Sequence, residues 1–308
     1  MTTTDQNESS STPGFRTGYV TIIGEPNVGK STLLNSMLGA KLSIVTNKPQ
    51  TTRKNVLGIL TSDTAQIIFR DTPGVITPRY LLQEKMLGYV ATAVADADVL
   101  LLMLDASDPD LERLASTPLG DVRELNKPVI LFLNKIDKLL DRKEVLPVME
   151  KFNAAGIFRE VIPGSGLHAQ NTDHLASVIA GYLPEGPPLY DPELLSEQPQ
   201  RFFVAELIRE QILKQYKQEI PYSVEVVIVQ YKERPMPEKL FISAEIVVER
   251  DNQKGIIIGK GGEALRKLGS YARVQIEEFL EQPVFLELFV KVRPDWRQSE
   301  SRLRSFGY

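Results

Sequence analysis

The stretch Gly24-Glu25-Pro26-Asn27-Val28-Gly29-Lys30-Ser31 constrains this chain more than any other. It has the form G-x-x-x-x-G-K-S and follows the apolar run Tyr19-Val20-Thr21-Ile22-Ile23. Behind it, Thr32-Leu33-Leu34-Asn35-Ser36-Met37-Leu38 is spaced as a helix, with Gly39 as its stop signal. A buried strand, a glycine loop and a helix N-terminus in that order build an anion site. Glycines let successive backbone N–H groups wrap a β-phosphate, and the helix adds the positive end of its dipole. Lys30 is placed to meet β- and γ-phosphate oxygens, and the Ser31 hydroxyl to ligate Mg²⁺. Gly24, Glu25, Pro26, Asn27, Val28, Gly29, Lys30, Ser31 and Thr32 are therefore the candidate nucleotide cradle.

The first half of the chain continues as alternating strands and helices. A hairpin is expected from 56–60 and 65–69, a helical stretch from 81–93, and an apolar strand at 99–104. A third helical segment is expected over about 111–125, a strand at 129–133, a helix near 144–155, a short strand at 160–162 and a helix near 172–183. That alternation predicts an α/β domain: a mostly parallel sheet with helices on both faces and ligands at the strand C-termini.

The remaining motifs fall in those loops. Asp71-Thr72-Pro73-Gly74 suits the Mg²⁺ side, with Asp71 holding the ion through water and the Gly74 N–H meeting the γ-phosphate. Asn134-Lys135-Ile136-Asp137 supplies selectivity. A carboxylate at Asp137 can accept paired hydrogen bonds from guanine N1–H and N2–H₂, which adenine cannot offer. Lys135 would lay its stem along the base, and Asn134 would tie this loop to the phosphate loop. Lys48-Pro49-Gln50-Thr51-Thr52-Arg53 is an irregular loop in which a threonine can reach Mg²⁺ only when a γ-phosphate is present. Thr52 is the expected residue and Thr51 the alternative. In Gly164-Ser165-Gly166, a backbone N–H of Ser165 or Gly166 is expected to contact guanine O6. The expected metal side is thus Ser31, Thr52 and Asp71, and the catalytic set Lys30, Thr52, Gly74 and Asn27.

At 308 residues the chain can hold two cored domains. It has no cysteine, which excludes disulfides and thiolate metal sites, and no apolar run of about 18 residues that would span a bilayer. The polar residues 1–17 are expected as a disordered tail, 18–184 as the nucleotide-binding domain, and the proline- and acid-rich 185–200 as a linker. From 201 the pattern changes. An apolar helical stretch through Tyr216 is followed by strand-like runs at 224–229 and 240–248. Then Ile258-Gly259-Lys260-Gly261-Gly262 opens a long amphipathic helix, and 284–293 alternates with period two as a closing strand. Glycines at a helix–helix turn admit a nucleic-acid backbone and aim helix N-termini at phosphate, so these five residues form the candidate RNA contact. Net charge is −4 overall, yet residues 201–308 carry +2 and the remainder −6. The mild basic bias lies on the half expected to meet a polyanion.

The order helix, strand, strand, helix, G-K-G-G, helix, strand resembles an α+β KH domain of the second topological type. The first half is similar to translation-factor-related GTPases carrying G-x-P-N-V-G-K-S, P-Q-T-T-R, D-T-P-G and N-K-x-D. Together they resemble the bacterial ribosome-assembly GTPase family Era, over essentially residues 18–308. The resemblance implies GTP hydrolysis to GDP with Mg²⁺, binding of small-subunit (16S-type) ribosomal RNA near its 3′ end, and help in maturing the small ribosomal subunit. It also implies a cytoplasmic protein with some peripheral contact at the inner face of the membrane. A monomer is expected, and DNA is not expected as a partner. Asn27 resembles the asparagine that ligates K⁺ in relatives of this type. Two departures stand out. The base loop usually reads S-A where this chain has Ser165-Gly166, which is expected to loosen it. Val75 occupies the position where Ras-like enzymes carry a water-orienting glutamine, and an apolar side chain cannot do that work. A guanine-nucleotide-gated RNA adaptor with negligible turnover is therefore the competing expectation. A tRNA-modifying GTPase would need a cofactor domain for which there is no room.

Overall fold

The computed structural model describes residues 14–233 and 238–308. The expected tail up to residue 13 lies outside them. The first domain is a six-stranded sheet built from β1 (Arg16–Gly24), β2 (Val56–Thr61), β3 (Ala65–Asp71), β4 (Val99–Asp105), β5 (Val129–Asn134) and β6 (Glu160–Pro163). Their order is β2-β3-β1-β4-β5-β6, parallel except for β2, which is the arm of a hairpin with β3. Arg16 and Thr17 pair with Ala65 and Gln66, so the first strand begins inside the stretch expected as tail.

The central strands β4 and β5 are apolar at nearly every position and are buried along their length up to Asp105, as strands covered on both faces must be. One face packs on α1 (Lys30–Leu38) and α5 (Thr172–Tyr182), the other on α2 (Leu81–Asp96) and α4 (Val145–Ala154). The helix expected over 111–125 is instead α3 (Leu111–Ala115) and a single 3₁₀ turn at Val122–Glu124. Pro118 and Gly120 lie between them, the first without an N–H to donate and the second at φ 76°. Because β1 is flanked by β3 on one side and β4 on the other, the strand order reverses there. The loop after β1 opens at that switch point.

The segment expected as a linker lies along the edge strand β2 and reaches the Gln66 side chain of its neighbour β3. Gln66, fully buried, accepts from the Leu189 and Tyr190 amides and donates to the Tyr190 carbonyl; Ile59 N–H donates to Leu195 O at 2.9 Å. It covers a sheet edge and is no free tether.

The second domain comprises α6 (Gln200–Gln215), α7 (Ile220–Ser223), β7 (Glu225–Lys232), β8 (Leu240–Val248), α8 (Asp251–Ile258), α9 (Glu263–Leu280), β9 (Val284–Val292) and α10 (Glu300–Ser305). β7 and β8 are antiparallel, β8 and β9 parallel. Leu268, Ala272 and Ile276 of α9 are fully buried with β8 residues Ile242, Ala244 and Ile246 against Val204, Ile208 and Ile212 of α6. A smaller core joins the domains, with Leu82 and Met86 of α2 meeting Val247, Leu303 and the fully buried Trp296.

Candidate functional site

A cleft of about 280 Å³ opens at the C-terminal ends of β1, β3 and β5, lined by Pro26, Lys30, Ser31, Thr52, Asn134 and Asp137 among others. Gly29 at its base has φ 107°, and a Cβ there would stand 2.3 Å from the Asn134 amide nitrogen. Only glycine admits both the turn and that approach. Gly74 meets the loop from the other side, where a Cβ would stand 2.8 Å from Pro26 backbone.

Lys30 is buried and donates to the Gly24 and Glu25 carbonyls at 3.0 and 2.9 Å. Burial holds its ammonium down to a pKa of about 8, against the opposing pull of Asp71 and Glu25. On the metal side three residues converge on one hydroxyl. Ser31 Oγ donates to Asp71 Oδ2 at 2.6 Å and lies 2.9 Å from Thr52 Oγ1. Thr51 is turned away, its hydroxyl engaged with Thr46 at 2.8 Å and Lys48 O at 2.6 Å. Asp71 is completely buried; burial pushes its carboxyl up, opposed by hydrogen bonds from Ser31 and Ser43 and by the Lys30 charge. Its Oδ1 has no hydrogen-bond partner at all, an orphaned buried oxygen of the kind an ion or its water would satisfy. Among the described residues no three His, Cys, Asp or Glu cluster for a metal, so a divalent ion here would be held by hydroxyls, one carboxylate and substrate phosphate. Thr72 Oγ1 donates to Ile22 O at 2.7 Å and packs with β1; Pro73 sits beside it, buried.

In the base loop, Asn134 Nδ2 donates to Val28 O at 2.8 Å while its Oδ1 accepts from Gly166 N–H at 2.8 Å. The side chain thus ties three loops together. Lys135 has φ 67°, and its Nζ donates to Asn27 O at 2.7 Å and Asp105 Oδ2 at 2.8 Å. Asp137 accepts from Ser165 Oγ. The expected O6 donors are both engaged, Gly166 N–H by Asn134 and Ser165 N–H by Gln170 O at 3.1 Å. A Cβ at Gly166 would stand 3.0 Å from Leu33 Cα, so glycine lets the loop press on α1. Asn27 Nδ2 lies 3.2 Å from Asn47 O across the cleft, joining phosphate loop and switch loop. Val75 is buried against Ile23 and Val90, its N–H donating to Gly24 O at 3.2 Å; it has no route to an attacking water.

The switch loop is also the seam between domains, which its sequence did not announce. Arg53 is 2 % exposed and reaches into the second domain, donating to Val224 O at 2.6 Å, Pro221 O and Tyr222 O at 3.2 Å, and pairing with Glu225 at 3.1 Å. Lys48 Nζ caps α6 through Leu213 O and Tyr216 O, and Lys54 Nζ caps the last turn through Phe306 O at 2.5 Å. Three cations of one loop thus sit on the carbonyl ends of three helices, where helix dipoles favour positive charge. Arg209 returns the contact by donating to Thr51 O.

In the second domain Gly259 (φ 71°) and Gly261 (φ 59°) carry the chain through the turn, and α9 starts at its far side. Lys260 is exposed, and Arg266 braces the turn by donating to Gly261 O at 2.7 Å. Ile258 is half-buried against the domain core. Beside the turn lies a groove between α9 and β9, lined by Arg266, Gly269, Arg273, Leu286 and Leu288. The two arginines follow the glycines by helical spacing and were visible in sequence only once α9 was fixed.

A nucleotide-type cleft with a metal side, a switch and a base loop, followed by a helix–glycine turn–helix module, makes this a P-loop GTPase with a C-terminal KH domain. The family model described as 50S ribosome-binding GTPase matches residues 19–135, and the KH domain model matches 219–297. The chain is 44 % identical over 294 residues to the GTPase Era of Geotalea daltonii, spanning 96 % of this chain and 98 % of that one. It is also 44 % identical to the chloroplastic GTPase ERA1 of Zea mays, covering 95 % and 70 %. A solved structure of Era with MgGDPNP and nucleotides 1506–1542 of 16S ribosomal RNA superposes at TM-score 0.90 and 42 % identity, covering 96 % and 99 %. A point variant of Aquifex aeolicus Era bound to GDP·AlF4⁻ matches at the same values. This chain belongs to the Era GTPase family.

Proposed function

We propose that the chain is a GTP-hydrolysing switch that binds small-subunit (16S-type) ribosomal RNA near its 3′ end and assists maturation of the small ribosomal subunit. The observation that carries this reading is the switch loop, which presents Thr52 to Ser31 while burying Arg53 in the KH domain. One loop serves both ends of the molecule. Relatives crystallised with MgGDPNP and 16S RNA, and with GDP·AlF4⁻, support the substrate, the ion and the RNA. Its test is the affinity for a 16S 3′-end RNA with GTP analogue, GDP or no nucleotide, beside phosphate release. RNA binding indifferent to nucleotide would refute the switch.

Gly24–Thr32 backbone and Lys30 hold the phosphates, and Lys30 neutralises charge on the transferring group. Ser31 and Thr52 would ligate Mg²⁺, with Asp71 through water; the ion would supply charge stabilisation to the phosphates. Gly74 N–H contacts the γ-phosphate, and Thr72 and Pro73 fix the strand end that places it. Asn134 and Lys135 frame the base and Asp137 reads it, with Ser165 orienting that carboxylate and Gly166 closing the loop. Asp137→Asn is expected to cost GTP affinity and to admit xanthosine triphosphate, because an amide donor then faces the xanthine 2-oxo group. Nucleotide competition measures it; unchanged guanine preference would remove Asp137 from base reading.

The buried Val75 favours the second reading, an RNA adaptor gated by guanine nucleotide with negligible turnover. Hydrolysis then depends on other means of holding charge. Asn27 facing Asn47 O would let phosphate-loop and switch-loop oxygens share K⁺. Hydrolysis should be faster in K⁺ than in Na⁺, and Asn27→Ala should abolish the difference. Equal rates in both salts would remove K⁺ from the mechanism, and negligible rates in both would leave the adaptor as the better description.

On the KH side Ile258, Gly259, Lys260, Gly261 and Gly262 receive the RNA backbone, and the apolar groove takes unpaired bases. No Cβ at Gly261 would meet an atom within 4 Å, so Gly261→Asp can fold despite its strained φ, and it sets a carboxylate toward phosphate. RNA affinity should fall roughly tenfold or more, from added bulk at the backbone approach and repulsion between carboxylate and phosphate, with GTP affinity unchanged. Salt-dependent RNA binding checks it, and undiminished affinity would move the RNA site elsewhere. The protein is read as a cytoplasmic monomer with DNA not a partner and with peripheral contact at the inner membrane face. No helix among the described residues is long and apolar enough to cross a bilayer. Recovery of all the protein in the salt-washed soluble fraction would sink the membrane contact.

A further inference from the structure

Ser43 stands outside every motif the chain displays, yet its side chain reaches the metal side of the cleft. It is 2 % exposed, and its Oγ donates to Asp71 Oδ2 at 2.9 Å, the same oxygen that accepts from Ser31 at 2.6 Å. With both donors on Oδ2, Asp71 Oδ1 is left buried and without a partner. The carboxylate is therefore aimed. One oxygen is anchored by two hydroxyls, and the other is kept free for a ligand.

The mount of Ser43 is as well defined as its contact. Asn35 lies on α1 four residues after Ser31, on the same face of the helix. Its Oδ1 accepts from Leu42 N–H at 3.0 Å and Ser43 N–H at 2.9 Å, and its Nδ2 donates to Ser43 O at 2.7 Å. The helix that carries Ser31 thus grips the root of the switch loop through three hydrogen bonds, none of which involves a phosphate. Thr52 is different. It meets Ser31 from the far end of the loop, nine residues on, through a single hydroxyl contact at 2.9 Å.

We propose that Ser43 is a positioning residue for magnesium, holding Asp71 in its water-ligating orientation in both nucleotide states, whereas Thr52 serves the ion only in the triphosphate state. This rests on the GTPase reading above and divides the metal side into a fixed half and a switching half. Ser31, Ser43 and Asp71 are fixed by α1 and β3, and Thr52 is the half that leaves.

The test is the release rate of a fluorescent GDP derivative, and of a non-hydrolysable GTP derivative, across free Mg²⁺ concentration. Ser43→Ala should raise the Mg²⁺ needed to slow release by roughly tenfold with both nucleotides, as loss of one hydrogen bond to a buried carboxylate implies. Thr52→Ala should raise it with the GTP derivative alone. Ser43→Thr, which keeps the hydroxyl, should restore the wild-type Mg²⁺ dependence, and nucleotide affinity in Mg²⁺-free buffer should be the same for both Ser43 variants and the wild type. If Ser43→Ala does not fold, Asn35→Ala should produce the same two-nucleotide shift by freeing the mount. An unshifted Mg²⁺ dependence in a folded variant, or a shift confined to the GTP derivative, would overturn the assignment. Wild-type protein whose GDP release ignores Mg²⁺ would instead count against the GTPase reading itself.

Discussion

Lys30→Met should all but end hydrolysis while leaving the empty protein no less stable, two changes of opposite sign from one substitution. The reaction depends on placed charge, and removing one such donor in a dry site costs roughly 10²–10³-fold in turnover. Stability moves the other way because the ammonium is buried, 6 % exposed, with only two carbonyls for partners and with its pKa held down to about 8. The folded, nucleotide-free state disfavours the protonated lysine, whereas the unfolded chain protonates it up to 10.5. Between those values the unfolded state binds more protons, so stability of wild-type protein should rise as pH goes from about 8 to 10.5, by an amount on the order of 3 kcal/mol. The methionine variant should lack that rise. Nucleotide binding has the mirror-image dependence. Phosphate favours the ammonium, so affinity should fall above pH 8 by at most about tenfold per pH unit. Denaturant unfolding across pH and single-turnover phosphate release check both halves. A variant with wild-type turnover would place the phosphates elsewhere, and one with the wild-type pH slope would assign the buried charge to another group.

How far such a site can be read from sequence depends on whether its parts are contiguous. The phosphate loop, D-T-P-G and N-K-I-D each place several contacts on consecutive residues, so backbone geometry alone makes them legible. Ser43, Asp105 and Arg53 were not legible in the same way. Ser43 and Asp105 act through single side chains whose partners are 28 and 30 residues away in the chain, Asp71 and Lys135. Arg53 ends a recognised motif, but its partners begin 168 residues on at Pro221. In the fold, β9 was legible because one-sided burial imposes a period of two, and β4 and β5 because burial on both faces leaves an unbroken apolar run. The stretch 111–125 was not, because apolar spacing persisted across Pro118 and Gly120, which broke the helix. The segment 185–200 has a linker's composition and an edge-cover's hydrogen bonds, a distinction that exists only once β2 has an edge. The packing of Gly166 is illegible for the same reason. Its small size answers to Leu33 of another element.

Arg53→Ala should lower the preference for GTP analogue over GDP while leaving both the phosphate site and the KH groove intact. The guanidinium touches no residue of the nucleotide cleft. It holds three carbonyls at the end of α7 and the start of β7, and it shares Glu225 with the Tyr308 hydroxyl, which donates to that carboxylate at 2.8 Å. Its immediate neighbour Thr52 faces Ser31, so the KH domain grips the loop in the position a γ-phosphate would select. Removing a buried partner that leaves Glu225 short of its cation typically costs about 3–5 kcal/mol, and Glu225 is 6 % exposed. Part of that cost falls on the closed loop itself. Coupling of about 1–3 kcal/mol, or roughly 5–150-fold, is then lost from the ratio of GTP-analogue to GDP affinity. Because coupling is reciprocal, the factor by which RNA shifts nucleotide preference equals the factor by which nucleotide shifts RNA affinity, and both should shrink together in the variant. Thermal unfolding should show the interface loss as well, the two domains melting in separate steps where Lys48, Lys54 and the Leu82–Trp296 core no longer suffice to join them. Titrating each nucleotide with and without RNA on the variant gives all four affinities. A folded Arg53→Ala protein with the wild-type nucleotide ratio would mean that the KH domain rests on the switch loop without sensing it.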